Sequence, residues 1–352
     1  MKIKILNSLS DNCTIKSGNF FRDCFDYFST FLKDESINWG DEGKLLAVTN
    51  IDLDSMNEIG WQDINLIIAE TCQQIYDLSY KLDYTKSYIF VTESWIDADS
   101  LKEKFYGLPI IAHYTVFNEI FNYGSELFAV KSHITTLKIS NQPPEYDFFC
   151  IIGRQTNLRR RFIYELARQD LSNSLVKYYG EIIGNSGAPA QFDRLDYRNG
   201  FFGNDHHYGM STPSKLIQSS LYNNFKLEVQ FETDATGGQG WDLIEYHVTE
   251  KTLKPLIMGK PCVMFGPVGY HKWLKQYNID LSLGNFKTDF DSIENDQQRV
   301  AAVAAQVRDI DFDNILSNQS QHQQNMWGLY QLCNLSKQNT LSLYRQLRLL
   351  TS

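Results

Sequence analysis

Residues 225–267 restrict the fold more than any other stretch of the chain. Leu227, Val229 and Phe231 alternate with Lys226, Glu228 and Gln230, the period of a half-buried strand. A loop from Thr233 to Trp241 follows, loosened by Gly237, Gly238 and Gly240. Thr249 stands where it can cap a helix that opens at Glu250, and Gly259 where it can end one. Cys262 to Phe265 is a short apolar strand stopped by Gly266-Pro267. Pro255 lies just past the first helical turn. It cannot donate to the carbonyl of Lys251, so the helix is expected to kink or stay short.

The same order of elements occurs earlier. Tyr146 to Ile152 reads as a strand, Arg159-Arg160-Arg161 open a helix, and Leu175 to Tyr179 is the next strand, a βαβ unit. In the first half, strands are predicted at Ile3 to Leu6, Leu45 to Val48, Ser87 to Thr92 and Pro109 to Tyr114. Helices are predicted at Phe20 to Leu32 and Ile64 to Leu82. Further on, helices are expected at Pro213 to Ser219, Gly269 to Tyr277, Ile293 to Val307 and Asn314 to Leu350. The class is therefore α/β. The polar stretch Ser140 to Glu145 holds the pair Pro143-Pro144 and marks a boundary. It divides the chain into residues 1–142, residues 143–335 and a terminal helix at 336–352.

Chemistry-bearing residues gather at the ends of these elements. Glu250 and Lys251 open a helix with Tyr246 just before it, and unpaired N–H groups there favour an anion. Lys251 adds a full charge for a phosphate, and Glu250 can accept two hydrogen bonds from a ribose diol. Three arginines at the amino end of the 159–166 helix oppose its dipole, a cost that an anionic partner removes. Glu93 follows a strong strand, where open parallel sheets hold their ligands. It is the first candidate for a general base, with Asp97 and Glu58 behind it. Asp52-Leu53-Asp54 has the spacing of a metal-binding pair, but Asp97/Asp99, Asp289/Asp291 and Asp309/Asp311 share that form, and a turn or cap explains it better. The run Asn204 to Tyr208 lacks the helical or zinc spacing of a metal centre.

The pattern F-E, spacer, Y-x-x-T-E-K, apolar helix, G-x-P and a strand ending G-P resembles the nucleotide-sugar signature of fucosyltransferase-type glycosyltransferases, in which one residue fewer separates the Tyr from T-E-K. It is also similar to T-E-K-T-x-K-P proteins of large tailed phages. The 146–180 segment resembles the opening of that family's donor domain. The resemblance covers roughly 120 residues of the second half, as two motifs in the right order. It implies a GT-B-like fold: two Rossmann-like domains facing a cleft, with a C-terminal helix packing back across them. Residues 1–142 would bind the acceptor and residues 143–335 the donor. It implies donor-binding roles for Arg159, Arg160, Glu232, Tyr246, Glu250 and Lys251, and a catalytic base similar to the family's at Glu93. The activity implied is transfer of a sugar from a nucleotide-sugar to an acceptor hydroxyl, inverting and metal-independent, with no cofactor required and Mg²⁺ not expected. The chain departs from the family at Thr233, which stands for Asn, at Glu245, which stands for Asp, and in a longer spacer.

Partners follow from the same reading: a nucleotide-sugar donor and a glycan or modified-DNA acceptor. One alternative is a phage DNA glycosyltransferase acting on hydroxymethylated pyrimidines. The net charge of -9 argues against a broad nucleic-acid footprint. Another is a non-catalytic nucleotide- or sugar-binding module. A third is a metal-dependent transferase centred on Asp52 and Asp54. The six cysteines form no C-x-x-C pair and read as reduced core thiols. Met1-Lys2-Ile3-Lys4-Ile5 does not read as a secretory leader, and no apolar run approaches a membrane span. The location expected is cytoplasmic, in the host cytoplasm if the chain is phage-encoded.

Overall fold

The computed structural model describes residues 1–5, 26, 29, 32, 37–40, 42–49, 62–69, 82, 85–91, 95–96, 110–112, 144, 146–152, 156–166, 168, 174–178, 225–232, 245–246, 248, 250–257, 259–282, 286–315 and 319–352. Two compact units emerge. The first holds Met1–Gly124, Gly240–His247 and Cys333–Ser352, and the second holds Ser125–Gln239 and Val248–Leu332.

The first unit contains β1 (Lys2–Ile5), β2 (Asn38–Gly40), β3 (Leu45–Thr49), β4 (Ile64–Ala69), β5 (Ser87–Val91), β6 (Trp95–Ile96) and β7 (Ile110–Ala112). Six of these form a sheet in the order β2-β1-β3-β4-β5-β7, parallel at every pairing. The expected helix over Ile64 to Leu82 is corrected at its start, because Ile64–Ala69 is a strand buried at all six positions. A parallel strand covered on both faces reads as a continuous apolar run, so it carries no period of two to distinguish it from a buried helix. Asn65, the polar residue in this strand, is fully buried. Its side chain accepts from the Gln62 N–H at 3.0 Å and donates to the carbonyls of Gln62 (2.9 Å) and Lys86 (3.2 Å). Ile3, Leu45, Ala47, Leu66, Ile68 and Phe90 pack with Leu343, Tyr344 and Leu347 of the C-terminal helix.

The second unit contains β8 (Tyr146–Ile152), α1 (Asn157–Leu166), β9 (Ser174–Tyr178) and β10 (Phe225–Phe231). The two-residue β11 (Glu245–Tyr246) belongs to the first unit. After it come α2 (Glu250–Ile257), β12 (Cys262–Phe265), α3 (Tyr270–Lys275), a 3₁₀ turn at Asp289–Ser292, α4 (Asp296–Arg308), α5 (Phe312–Ile315) and α6 (Gln319–Thr351). The sheet order is β12-β10-β8-β9, again parallel throughout. One face is a core of Phe148, Cys150, Ile152, Leu227, Val229, Phe231, Val263 and Phe265. Over it lie Leu158, Phe162 and Leu166 of α1 and Val300, Val303 and Val307 of α4.

β10 is not half-buried as its alternation predicts. Glu228 and Gln230 are 3% and 4% exposed, and Gln230 Nε2 donates to Glu228 Oε1 at 2.9 Å. The reason is topological: β10 lies inside the sheet, between β8 and β12, and α2 packs against it. Cys150 and Cys262 are buried free thiols. Burial, and next the negative charge of Glu228, push both thiols well above their usual range.

The α3 amino end is held from the 3₁₀ turn. The Asp291 carboxylate accepts from the His271 N–H at 3.2 Å and the Lys272 N–H at 3.1 Å. His271 is buried, and its Nε2 meets the Met264 carbonyl at 2.7 Å. Because a carbonyl only accepts, Nε2 carries the proton. Burial lowers the His271 pKa, against an opposing pull from Asp291. An unfolded histidine takes up its proton near pH 6.5, while the folded one does so only at lower pH. The unfolded state therefore binds more protons below about pH 6.5, and His271 withdraws stability as pH falls. Thermal melts between pH 7.5 and 5.5 are expected to show a falling midpoint, and His271→Gln is expected to flatten that slope.

Candidate functional site

The strand order of the second unit places a topological switch between β8 and β10. The chain moves from β8 to β9 on one side and builds β10 and β12 on the other. Ligands of open parallel sheets bind outside the carboxyl ends of the strands at such a point. Here those ends lead to Thr156 and α1 on one strand and to Glu232 on the other. Thr156 caps α1: its Oγ1 accepts from the Arg159 N–H at 3.2 Å, and its carbonyl accepts from the Arg160 N–H at 2.9 Å. The first turn of α1 contains no acidic residue, so its dipole is not offset from within the helix.

Glu232 ties four elements together. Its N–H donates to the Phe265 carbonyl of β12 at 2.9 Å. Its own carbonyl accepts from Arg159 Nη2 of α1 at 3.0 Å. Its Oε1 accepts from Thr252 Oγ1 of α2 at 2.5 Å and lies 3.4 Å from Tyr270 Oη of α3. Glu232 and Thr252 are fully buried, and so is Tyr270. Burial, then the charge on Glu232, raise the Tyr270 pKa well above its ordinary value, so it stays a neutral phenol.

The two arginines expected at a phosphate have different settings. Arg159 is 4% exposed, and its guanidinium carbon lies 5.8 Å from the Phe231 ring centre. Arg160 is exposed and donates to Asn157 Oδ1. Arg161, next along, pairs with Glu165 at 2.5 Å on the helix surface. Lys251 is half-buried in the first turn of α2, directly before Thr252. Glu250 is the first residue of that helix. The α2 helix ends with Gly259 at φ 62°, and the Lys260 N–H closes back on the Pro255 carbonyl at 2.8 Å. The proline lies inside an eight-residue helix, in line with the short helix it predicts.

Tyr246 is half-buried and lies in β11, which pairs antiparallel with β6, Tyr246 opposite Trp95 and Glu245 opposite Ile96. Both strands belong to the first unit. Glu93, Asp97, Glu58, Asp52, Asp54 and the run Asn204 to Tyr208 lie outside the described residues. The two later D-x-D pairs have structural partners. Asp289 accepts from Gln306 Nε2 at 3.1 Å, Asp291 caps α3, and Asp309 pairs with Arg308 at 3.3 Å. Among the described residues no group of three or more His, Cys, Asp or Glu is arranged to hold a metal ion, and no helix is long and apolar enough to cross a membrane.

The structure thus brings Arg159 and Glu232 into direct contact, and ties the turn that carries Lys251 to the same residue. Thr252 and Tyr270 were missed by sequence reasoning. A single hydroxyl in a helix and a tyrosine after a G-P turn carry no periodicity that points to a carboxylate 20 or 38 positions away. In comparisons with known proteins, no family model and no curated protein matches the chain.

Proposed function

We propose that the chain is a nucleotide-sugar-dependent glycosyltransferase whose donor site lies at the carboxyl end of the β8–β10 sheet. The observation that carries the reading is Glu232 binding the first turns of two helices, α1 and α2, at a topological switch point. Two helix amino ends anchored on one residue offer backbone donors and dipoles to a diphosphate. Arg160 and Lys251 add the charge that a nucleoside diphosphate needs as it leaves. Glu250 binds the ribose diol. Arg159 and Glu232 act from inside the protein, holding α1 and α2 in place. The two parallel sheets, each with its second strand outside its first, fit the two Rossmann-like halves of a GT-B enzyme.

In this reading the attacking acceptor hydroxyl passes its proton to Glu93 as its oxygen bonds to the anomeric carbon. The bond from that carbon to the diphosphate breaks, and the configuration inverts. Lys251, Arg160 and the two helix ends take the developing charge, so the step needs no metal ion. The acceptor is a glycan or a hydroxymethylated base, and a steep fall of affinity with salt would mark the second.

A thermal-shift screen of GDP, UDP, CMP and their sugar conjugates tests the reading. At 100 times its Kd the correct nucleotide adds about 2.7 kcal/mol of stability. Lys251→Ala is expected to abolish that shift while leaving the unliganded melt in place. A flat response to every nucleotide, with and without Mg²⁺, would overturn the donor site.

A further inference from the structure

We propose that Thr252 and Tyr270 are positioning residues that fix the amino end of α2 for the phosphates of the nucleotide. The proposal rests on the nucleotide reading above. Thr252 has one hydroxyl proton and spends it on Glu232 Oε1 at 2.5 Å. The 2.8 Å contact between Thr252 Oγ1 and Tyr270 Oη must then be donated by the tyrosine. The result is a directed chain, Tyr270 to Thr252 to Glu232, with a longer 3.4 Å bond from the same tyrosine hydroxyl to Glu232 Oε1 and every member fully buried. It joins α3, α2 and the end of β10.

Two further observations give the chain a task beyond packing. First, Pro255 cannot donate to the Lys251 carbonyl, so the α2 ladder lacks a bond at the residue proposed to meet phosphate. The neighbouring Thr252 side chain ties the same turn to Glu232. Second, the tyrosine ring is held in a set place. A Cβ on Gly266 would fall 2.4 Å from Tyr270 Cγ, so the ring lies directly against the backbone of the turn after β12. Only a residue without a side chain at position 266 permits this. The Tyr270 hydroxyl, and through it Thr252, are thereby aimed at Glu232 from a rigid base.

The test compares Thr252→Val, which keeps the shape and removes the hydroxyl, with Thr252→Ser, which restores it. The probe is whichever of GDP, UDP or CMP binds the wild type, titrated by calorimetry well below the melting point. Thr252→Val is expected to raise Kd about tenfold and Thr252→Ser to stay within about twofold, the scale of one hydrogen bond to a charged group. Tyr270→Phe is expected to raise it about three- to fivefold by the same reasoning, and it carries the test if Thr252→Val fails to fold. In turnover, KM should rise while kcat changes little. A Val variant that melts lower but binds as the wild type does would show the chain to be structural only and overturn the proposal. Wild type that binds none of the three nucleotides would instead overturn the donor reading and the proposal with it.

Discussion

Arg299→Ala is expected to lower the stability of the second unit by about 3–5 kcal/mol, the cost of removing one partner from a buried ion pair. Arg299 is fully buried and Asp296 is 5% exposed, with Nη2 2.5 Å from Oδ1. Nη1 donates to the Ile293 carbonyl at 2.7 Å, and the guanidinium carbon lies 5.0 Å from the Phe265 ring centre. Truncation would leave the Asp296 carboxylate in the interior and release the turn that leads into α4. The Asn295 cap, which accepts from Gln298 N–H at 3.0 Å, would be the main remaining anchor of that helix start among the described contacts. Removing both charges in Arg299→Met/Asp296→Ala is expected to recover more than half of the loss, because apolar replacement of a buried pair is often neutral. Urea midpoints of the three proteins check this. A single-variant loss below about 1 kcal/mol, the scale of a surface pair, would show that the pair is solvated in the folded protein.

Arg159→Ala and Arg160→Ala are expected to separate cleanly. Arg159 is buried and holds the Glu232 carbonyl, so its loss is expected to cost about 2–4 kcal/mol from an unsatisfied buried acceptor and a cavity. Arg160 is exposed, so alanine should change stability by no more than about 0.5 kcal/mol. On the proposed donor reading, nucleotide affinity should fall for Arg160→Ala even though stability does not. Arg160→Ala is expected to weaken binding about tenfold, since a charge-assisted contact to a phosphate is lost. Denaturant midpoints and nucleotide titrations on both variants make the comparison. If Arg160→Ala binds as tightly as wild type, the diphosphate does not lie at the α1 amino end.

The second unit's framework was readable from local pattern. β8, β10 and β12 begin and end where their apolar runs do, because Gly, Pro and polar residues punctuate them. Burial was harder to read. The alternation of Lys226, Glu228 and Gln230 predicts a wet face, yet a strand flanked on both sides and covered by a helix hides its polar residues too. Lys226 alone of the three keeps to the pattern's margin, half-buried and paired with Asp147 at 3.0 Å. The run Ile64–Ala69 failed for the converse reason, since two covered faces erase the period altogether. At the candidate site, the family resemblance named Arg159, Arg160, Glu232 and Lys251. It did not distinguish the buried arginine from the exposed one, because successive helix positions point about 100° apart and only the packed sheet decides which turns inward. The Thr252–Tyr270 chain was invisible, since three distant positions meet only after β10, α2 and α3 are assembled.

The thiols of Cys150 and Cys262 have a consequence for how this protein can be watched. The thiolate is the reactive species, and both sulfurs are fully screened within the sheet while their ionisation is suppressed. An alkylating reagent can mark them only after β8 and β12 have come away from their neighbours. Mass accumulating on these two cysteines is therefore a clock for the opening of the second unit, wound by the fold itself, and on the proposed donor reading a nucleotide should slow it in proportion to its occupancy.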